Sequence, residues 1–499
     1  MLLSLVVLTP LLGAVALAFL RLGESGLRIF AVAVSLVPLS LLVAIWVGFD
    51  TSASAPAFQA TVEVPWIPAL GVAWRVGVDG ISLAIAAMSA LVFVAAIAWP
   101  TDTKGRARQY FVWMLFLEAV SLGLFVTLDL LVFYVFFDLS LVGMYFLIGR
   151  WGHGDAERAA LKFFVYTLAG SLALLLAIIA LVLANDTLTF DMRVLIANQP
   201  LAGSTVAGGL VYLGFILAFA IKTPLFPVHT WLPPAHVDAP GPASAILAGV
   251  LLKMGTYGIV RMPMSMMVET FARYAFWLGV LAVVSILWGA IVAFAQENFK
   301  RRIAYTSVNH MGYTVLGLAA AGAMIGSEEA RRLALTGATV EMIAHGLITG
   351  ALFLIAGGFW QRGQTYELSD YGGLARTAPL MAAATILAAF ASFGLPGLAG
   401  FVAEFQIFAG TFGVFPWLAA IGILGILITA ALFLVMLQRL FFGERPERWT
   451  GFADLSRTEA AALAALLVFV VVIGIYPSWL LGVIDHASNA ILALPVAAD

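Results

Sequence analysis

The chain has no cysteine. That excludes disulfides, thiolate zinc sites and cysteine-ligated iron–sulfur clusters within it. Charge is scarce: 10% of the 499 residues are Asp, Glu, Lys or Arg, and the net charge is −2. Nothing in that balance argues for nucleic acid as a partner. No glycine-rich loop follows a strand pattern, so a nucleotide phosphate finds no cradle. Lysine is rarest of the charged types, with five in all: Lys104, Lys162, Lys222, Lys253 and Lys300.

What is present is apolar. Hydrophobic residues make up 63% of the chain and the mean hydropathy is +1.05, the composition of a polytopic membrane protein. A helix needs about 20 apolar residues to cross a bilayer. The sequence predicts an all-α fold with about fourteen such spans: 2–20, 29–48, 80–99, 109–126, 130–149, 160–184, 206–231, 241–260, 274–295, 302–324, 333–359, 379–411, 416–442 and 459–484. The first lacks a basic leader and reads as a retained helix. The connectors are too short to hold a soluble domain, so residues 1–499 form one membrane domain.

Lysine and arginine favour cytoplasmic loops. Fifteen of them fall in odd-numbered connectors and six in even-numbered ones. Both termini should therefore lie outside, on the periplasmic side.

Two spans carry helix breakers. The seventh contains AIKTPLFPVHTWLPP, with Pro224 and Pro227 beside Lys222; the twelfth contains FASFGLPGLAGFVAEF, with Gly394, Pro396, Gly397 and Gly400 ahead of Glu404. Interior proline removes a backbone hydrogen bond and clashes with the preceding turn. Matching breaks in two halves point to an inverted repeat with an ion path at the breaks. The repeats would be helices four to eight (109–260) and nine to thirteen (270–442), flanked by 1–100 and 458–486.

Ionisable side chains inside apolar runs are costly, about 2.5–3.5 kcal/mol for a central lysine on insertion scales, and mark ion pathways. Asp138, in LLVFYVFFDLSLVGMYFLIG, either titrates or pins a neighbouring helix. Lys222 and Lys253 are its natural partners, and a charge pair that opens and closes acts as a proton switch. Glu404 is the proton-site candidate of the second half. His345 and His310 lie between the two sets, where a neutral imidazole accepts at one nitrogen and donates at the other; each is equally a packing residue in form. Lys162 either joins the path or snorkels to the interface. Trp231 reads as an interface marker, His229 and His236 carry no assigned chemistry, and Glu297–Arg302 reads as a cytoplasmic connector. No pair of histidines has the spacing of a metal site.

At FYVFFDLSLVGMYFLIGRWG, KFFVYTLAGS, FAIKTPLFPVHTWLPPAHVDAP, LLKMGTYGIVR, KRRIAYTSVNHMGY, AHGLITGALFLIAG and FASFGLPGLAGFVAEF the chain resembles the antiporter-like subunits of respiratory complex I. The closest fit is the NuoM type, the counterpart of mitochondrial NADH dehydrogenase subunit 4. The resemblance implies a fourteen-helix fold with two inverted five-helix repeats. It implies proton translocation in an NADH:quinone oxidoreductase, coupled to quinone reduction elsewhere in the complex. The path would run through Asp138, Lys222, Lys253, His345 and Glu404, with Lys162 and His310 as further members. Flavin, iron–sulfur clusters and quinone would belong to partner subunits, and sister antiporter-like subunits would be neighbours in a bacterial plasma membrane. Asp138 departs from the family's usual glutamate by one methylene. Alternatives are a subunit of a Mrp-type cation/proton antiporter and the membrane arm of a hydrogenase or ferredoxin-driven complex.

Overall fold

The computed structural model describes residues 1–494. Lipid offers the backbone no hydrogen-bonding partner, so an apolar chain must close its bonds within helices. The described residues form α1 (Leu2–Phe19), α2 (Glu24–Val47), α3 (Gly80–Ala98), α4 (Ala107–Val126), α5 (Leu130–Trp151), α6 (Ala156–Leu183), α7 (Met192–Asn198), α8 (Thr205–Lys222), α9 (Leu232–Asp238), α10 (Gly241–Ile246), α11 (Leu252–Ile259), α12 (Val268–Phe294), α13 (Phe299–Gly322), α14 (Glu328–Gly363), α15 (Pro379–Ser392), α16 (Ala399–Phe412), α17 (Pro416–Gly422), α18 (Leu424–Phe441), α19 (Arg457–Ile475) and α20 (Ser478–Leu492). Two π-helical turns, Leu247–Leu251 and Val260–Met264, continue α10 and α11 into one rod.

Among the described residues, twelve segments are long and apolar enough to cross a membrane. α13 has comparable length, 24 residues, but more polar side chains. α15 and α16 are shorter apolar pieces on either side of the second break. The seventh expected span is likewise interrupted, since α8 ends at Lys222 and helix resumes only at Leu232. The last expected span, 459–484, is also divided: α19 stops at Ile475, and α20 begins after Pro477, a residue that cannot donate to a continuing helix.

One element departs from an all-α fold. The connector after α2 folds into an antiparallel hairpin, β1 (Gln59–Ile67) and β2 (Val72–Val78). Arg75 ties it down, pairing with Glu63 at 3.0 Å, Asp129 at 2.8 Å and Asp191 at 3.5 Å. Asp129 is also the cap of α5, accepting from the backbone N–H of Leu131 and Val132. The hairpin therefore fixes the start of the helix that carries Asp138.

The core sits around α14 and the α10–α11 rod, whose apolar stretches are wholly buried. α1, α6, α18 and α19 turn residues such as Leu12, Leu176, Leu427 and Ile475 outward. That outward apolar surface is what a bilayer covers.

Two places in the chain are built alike. Leu130 N–H donates to Phe190 O and Met192 N–H to Leu128 O, both at 2.9 Å. In the later half, Phe299 N–H donates to Tyr366 O at 2.7 Å and Leu368 N–H to Glu297 O at 2.9 Å. The breaks match as well. At the first, Thr223 N–H reaches Phe219 O and Leu225 N–H reaches Ala220 O; at the second, Phe393 N–H reaches Ala389 O and Leu395 N–H reaches Phe390 O. Leu225 and Leu395 are 170 positions apart, as are Lys222 and Ser392, and Ser140 and His310. Lys222 contacts Ser140, and His310 contacts Ser392.

Candidate functional site

The first break places Lys222 at the last turn of α8, buried. Trp231 closes the break from beneath, its indole N–H donating to Ile221 O at 2.9 Å. Trp231 is fully buried, which corrects its reading as an interface marker; its one polar atom is needed by a carbonyl that the broken helix leaves free. The Lys222 ammonium donates to Ser140 Oγ at 2.9 Å and lies 4.7 Å from the centre of the Phe137 ring. Asp138, half-buried on the same helix, accepts instead from Ser171 Oγ on α6. The expected partners thus share one neighbourhood, each on a hydroxyl, with the direct ion pair open.

Lys253 follows the first π-turn. A π-turn widens the helix and releases a carbonyl from its usual i−4 partner. Lys253 Nζ uses that release, donating to Ala248 O at 2.7 Å. It also contacts His345 Nδ1 at 2.6 Å. With Lys253 as an ammonium, which has no lone pair, His345 accepts there and carries its proton on Nε2. Nε2 faces Ser307 Oγ at 3.1 Å. The His345 and His310 rings are 5.6 Å apart, tilted by 54°. His310 Nε2 contacts Ser392 Oγ at 3.0 Å, and its Nδ1 lies 3.2 Å from Glu341 Oε1 and 3.9 Å from Glu404 Oε1. Lys253, His345, His310, Glu341 and Glu404 are all buried. The arrangement brings a lysine, two imidazoles and two carboxyl groups together in one buried cluster.

Thr223, next to Lys222 in the chain, has a buried hydroxyl with no partner. Gly255 lets α11 press on it: a Cβ there would meet Thr223 and the backbone of Phe219. The second break has a comparable seat. Gly394 adopts φ +74° and passes directly over Glu404, leaving no room for a Cβ beside the carboxylate. Gly474 of α19 lies against the Gly397 carbonyl and Leu398, so α19 packs backbone to backbone on the break.

Lys162 is not drawn into this row. It is partly exposed on α6, with its ammonium 5.9 Å from the Tyr166 ring. Conversely, the site contains residues that the sequence did not single out. Glu341 is one turn before His345 on α14, the i,i+4 spacing that places both on one face. Lys300 is not part of a connector: it is buried on α13 and donates to Ala239 O and, at 3.4 Å, to Val237 O, at the end of α9. A cation over the last carbonyls of a helix is favoured by their partial negative charge. Arg302 is buried beside it for the same kind of reason, donating to the backbone of Leu432 and Gln296. His236 stacks on Phe353 with ring centres 4.3 Å apart, and neither ring nitrogen has a partner. His153, in the loop between α5 and α6, stacks on Trp360 at 3.9 Å. Burial first, then Lys300 and Lys104, push its imidazole down to about 3, so it is neutral at physiological pH. Glu118 on α4 accepts from Ser35 Oγ of α2 at 2.7 Å. Among the described residues no three His, Asp or Glu side chains group as metal ligands would.

A family model described as NADH:quinone oxidoreductase/Mrp antiporter, TM matches residues 127–429. The chain is 36% identical to NADH-quinone oxidoreductase subunit M of Rhodobacter capsulatus, over 96% of this chain and 93% of that one. It is similar to a chain in the structure of respiratory complex I from Thermus thermophilus with bound NADH, with TM-score 0.88, 32% identity and 100% of both chains covered. A chain of the Mrp complex from Dietzia sp. DQ12-45-1b shares the fold at TM-score 0.86 and 23% identity, over 98% of this chain and 97% of that one.

Proposed function

The chain belongs to the NADH:quinone oxidoreductase/Mrp antiporter transmembrane family, and from that membership we propose that it is the antiporter-like, proton-translocating M-type subunit of a complex I. The observation that carries its mechanism is the buried grouping of Lys253, His345, His310, Glu341 and Glu404, with Lys253 Nζ 2.6 Å from His345, the two imidazoles 5.6 Å centre to centre, and His310 Nδ1 3.2 Å from Glu341.

In this reading Lys222 and Asp138 form the input pair. When Asp138 swings to Lys222, the pair holds the proton on the lysine; when it returns to Ser171, the lysine is left without a counter-charge and passes the proton on. The proton crosses by Thr223 to Lys253, whose ammonium already points at His345 Nδ1. Transfer to Nδ1 makes an imidazolium, which can lose the other proton from Nε2 toward Ser307 and His310. The two carboxylates at His310 Nδ1 receive it. Moving one charge against 100 mV takes about 2.3 kcal/mol. Quinone reduction elsewhere in the complex supplies that work, through flavin and iron–sulfur clusters held by partner subunits. Sister antiporter-like subunits are its membrane neighbours.

The membrane is a bacterial inner membrane, with both termini outside, a placement supported by the excess of Lys and Arg in odd-numbered connectors, thirteen to six once the buried Lys300 and Arg302 are left out. Counting α13 as one crossing and α15 with α16 as another brings the total to fourteen. The repeats are 109–260 and 270–442. The paired bridges at Leu128–Met192 and Glu297–Leu368, and the like hydrogen bonding of the two breaks, support that division.

The test is NADH-driven acidification of membrane vesicles. Glu404→Ala is expected to leave the complex assembled and to reduce pumping at least about tenfold, the loss of a terminal acceptor whose barrier rises by 1.4 kcal/mol or more. Wild-type pumping in that variant would remove Glu404 from the path.

A further inference from the structure

The first break leaves backbone groups that its own helix cannot satisfy. Pro224 and Pro227 have no N–H, and Leu225 N–H turns back to Ala220 O. Phe226 N–H is thus the next donor after Lys222 that points away from α8. It donates at 2.9 Å to Ser285 Oγ, which lies on α12, the helix that opens the later half of the chain. Ser285 is fitted for that role. Its own hydroxyl proton goes to Leu281 O at 2.9 Å, leaving the oxygen's lone pairs for the incoming N–H. Trp288, one turn on, reinforces the seat: its ring centre is 5.2 Å from that of Phe226, and its indole N–H donates to His229 Nε2 at 3.3 Å.

The second break has no need of such a partner. The residue 170 positions beyond Phe226 is Pro396, which carries no N–H. An N–H left bare in the membrane interior costs several kcal/mol. Ser285 is therefore an acceptor built for one break only, and it is supplied from across the boundary between the two halves.

Resting on the proton path set out above, we propose that Ser285 is a positioning residue for Lys222. The unwound segment 223–230 is held within its own half by the Trp231–Ile221 bond and by Thr230 Oγ1 donating to the Tyr166 hydroxyl at 3.0 Å, and to α12 by the Phe226–Ser285 bond and the Trp288–His229 bond. Lys222 sits four residues before Phe226, at the point where the helix ends. The bond to α12 sets how that end tilts, and so whether the ammonium reaches Ser140 and Asp138. It also makes the later half's first helix a direct mechanical neighbour of the earlier half's lysine, a link by which displacement of α12 alters the input pair.

The experiment measures protons moved per NADH oxidised by the intact complex in liposomes, with the amount of assembled complex measured on native gels. Three variants are compared: Ser285→Ala, Ser285→Thr, which keeps the hydroxyl, and Lys222→Ala as reference. Ser285→Ala is expected to assemble normally and lose about two- to tenfold in proton yield, the range of one hydrogen bond. Ser285→Thr is expected to recover most of it. Wild-type yield from Ser285→Ala, with Lys222→Ala inactive, overturns the positioning role while leaving the path intact. Equal loss in the alanine and threonine variants, or failure of Ser285→Ala to assemble, also overturns it, since either marks a packing role alone. Normal pumping by Lys222→Ala overturns the path and the positioning role together.

Discussion

Lys222→Ala is expected to yield an assembled complex that no longer pumps. The ammonium is buried at the end of α8 with one hydroxyl, Ser140 Oγ, as its hydrogen-bond partner and an aromatic face, Phe137, beside it. It forms no closed ion pair there, so its removal strands no opposite charge and takes away a costly buried cation. Assembly is therefore preserved. Function is not, because no other basic side chain stands between Asp138 and Thr223 in this network to hold the arriving proton. The expected loss of NADH-driven acidification is to background, two orders of magnitude or more at the sensitivity of a vesicle assay, equivalent to about 2.7 kcal/mol on the barrier. The amount of complex, read from a native gel, should match wild type. Substantial residual pumping would show that protons reach Lys253 by another route.

The second large effect is expected at Glu341. Its carboxylate approaches His310 Nδ1 more closely than Glu404 does, 3.2 Å against 3.9 Å. Both carboxyls face the same imidazole nitrogen, and Glu341 is the nearer acceptor for a proton leaving it. Glu341→Gln keeps the shape and removes the titrating oxygen. The proton arriving at His310 then meets a group unable to accept it, and pumping should fall at least about tenfold. Glu341→Asp, with the carboxyl retained on a shorter arm, should keep a measurable part. If the glutamine variant pumps as wild type, Glu404 receives the proton directly and Glu341 only holds His310 in place.

The residues that carry this account were unequally visible in the sequence. Lys222, Lys253, His310, His345 and Glu404 stand out because each is ionisable within an apolar run, and the two breaks announce themselves by proline and glycine. Glu341 did not stand out, although its spacing from His345 was there to be read. It lies near small and polar residues, where the start of the span hides it. Lys300 and Arg302 were hidden by their neighbours in a charged run, and only the arrival of α9 and the α18 backbone buries them. The hairpin 59–78 has alternating β-branched and aromatic residues, the pattern of a strand, yet its length suited a plain connector as well. The breaks point to a repeat, but its residue-by-residue match was illegible for a different reason. It is made by backbone groups, as at Leu225 and Leu395, and the side chains at matching places differ, Lys222 against Ser392. The distance between Asp138 and Lys222 was beyond reach too, since each has found a serine, Ser171 and Ser140, that the apolar pattern around it does not reveal.

The central claim is that protons pass between the two halves through the imidazole of His345. The direct measurement is the number of protons moved per NADH by the purified complex in liposomes when His345 is replaced by phenylalanine, a ring of similar shape with no nitrogen. The yield should drop well below that of wild type at equal complex content; an unchanged yield would contradict the account.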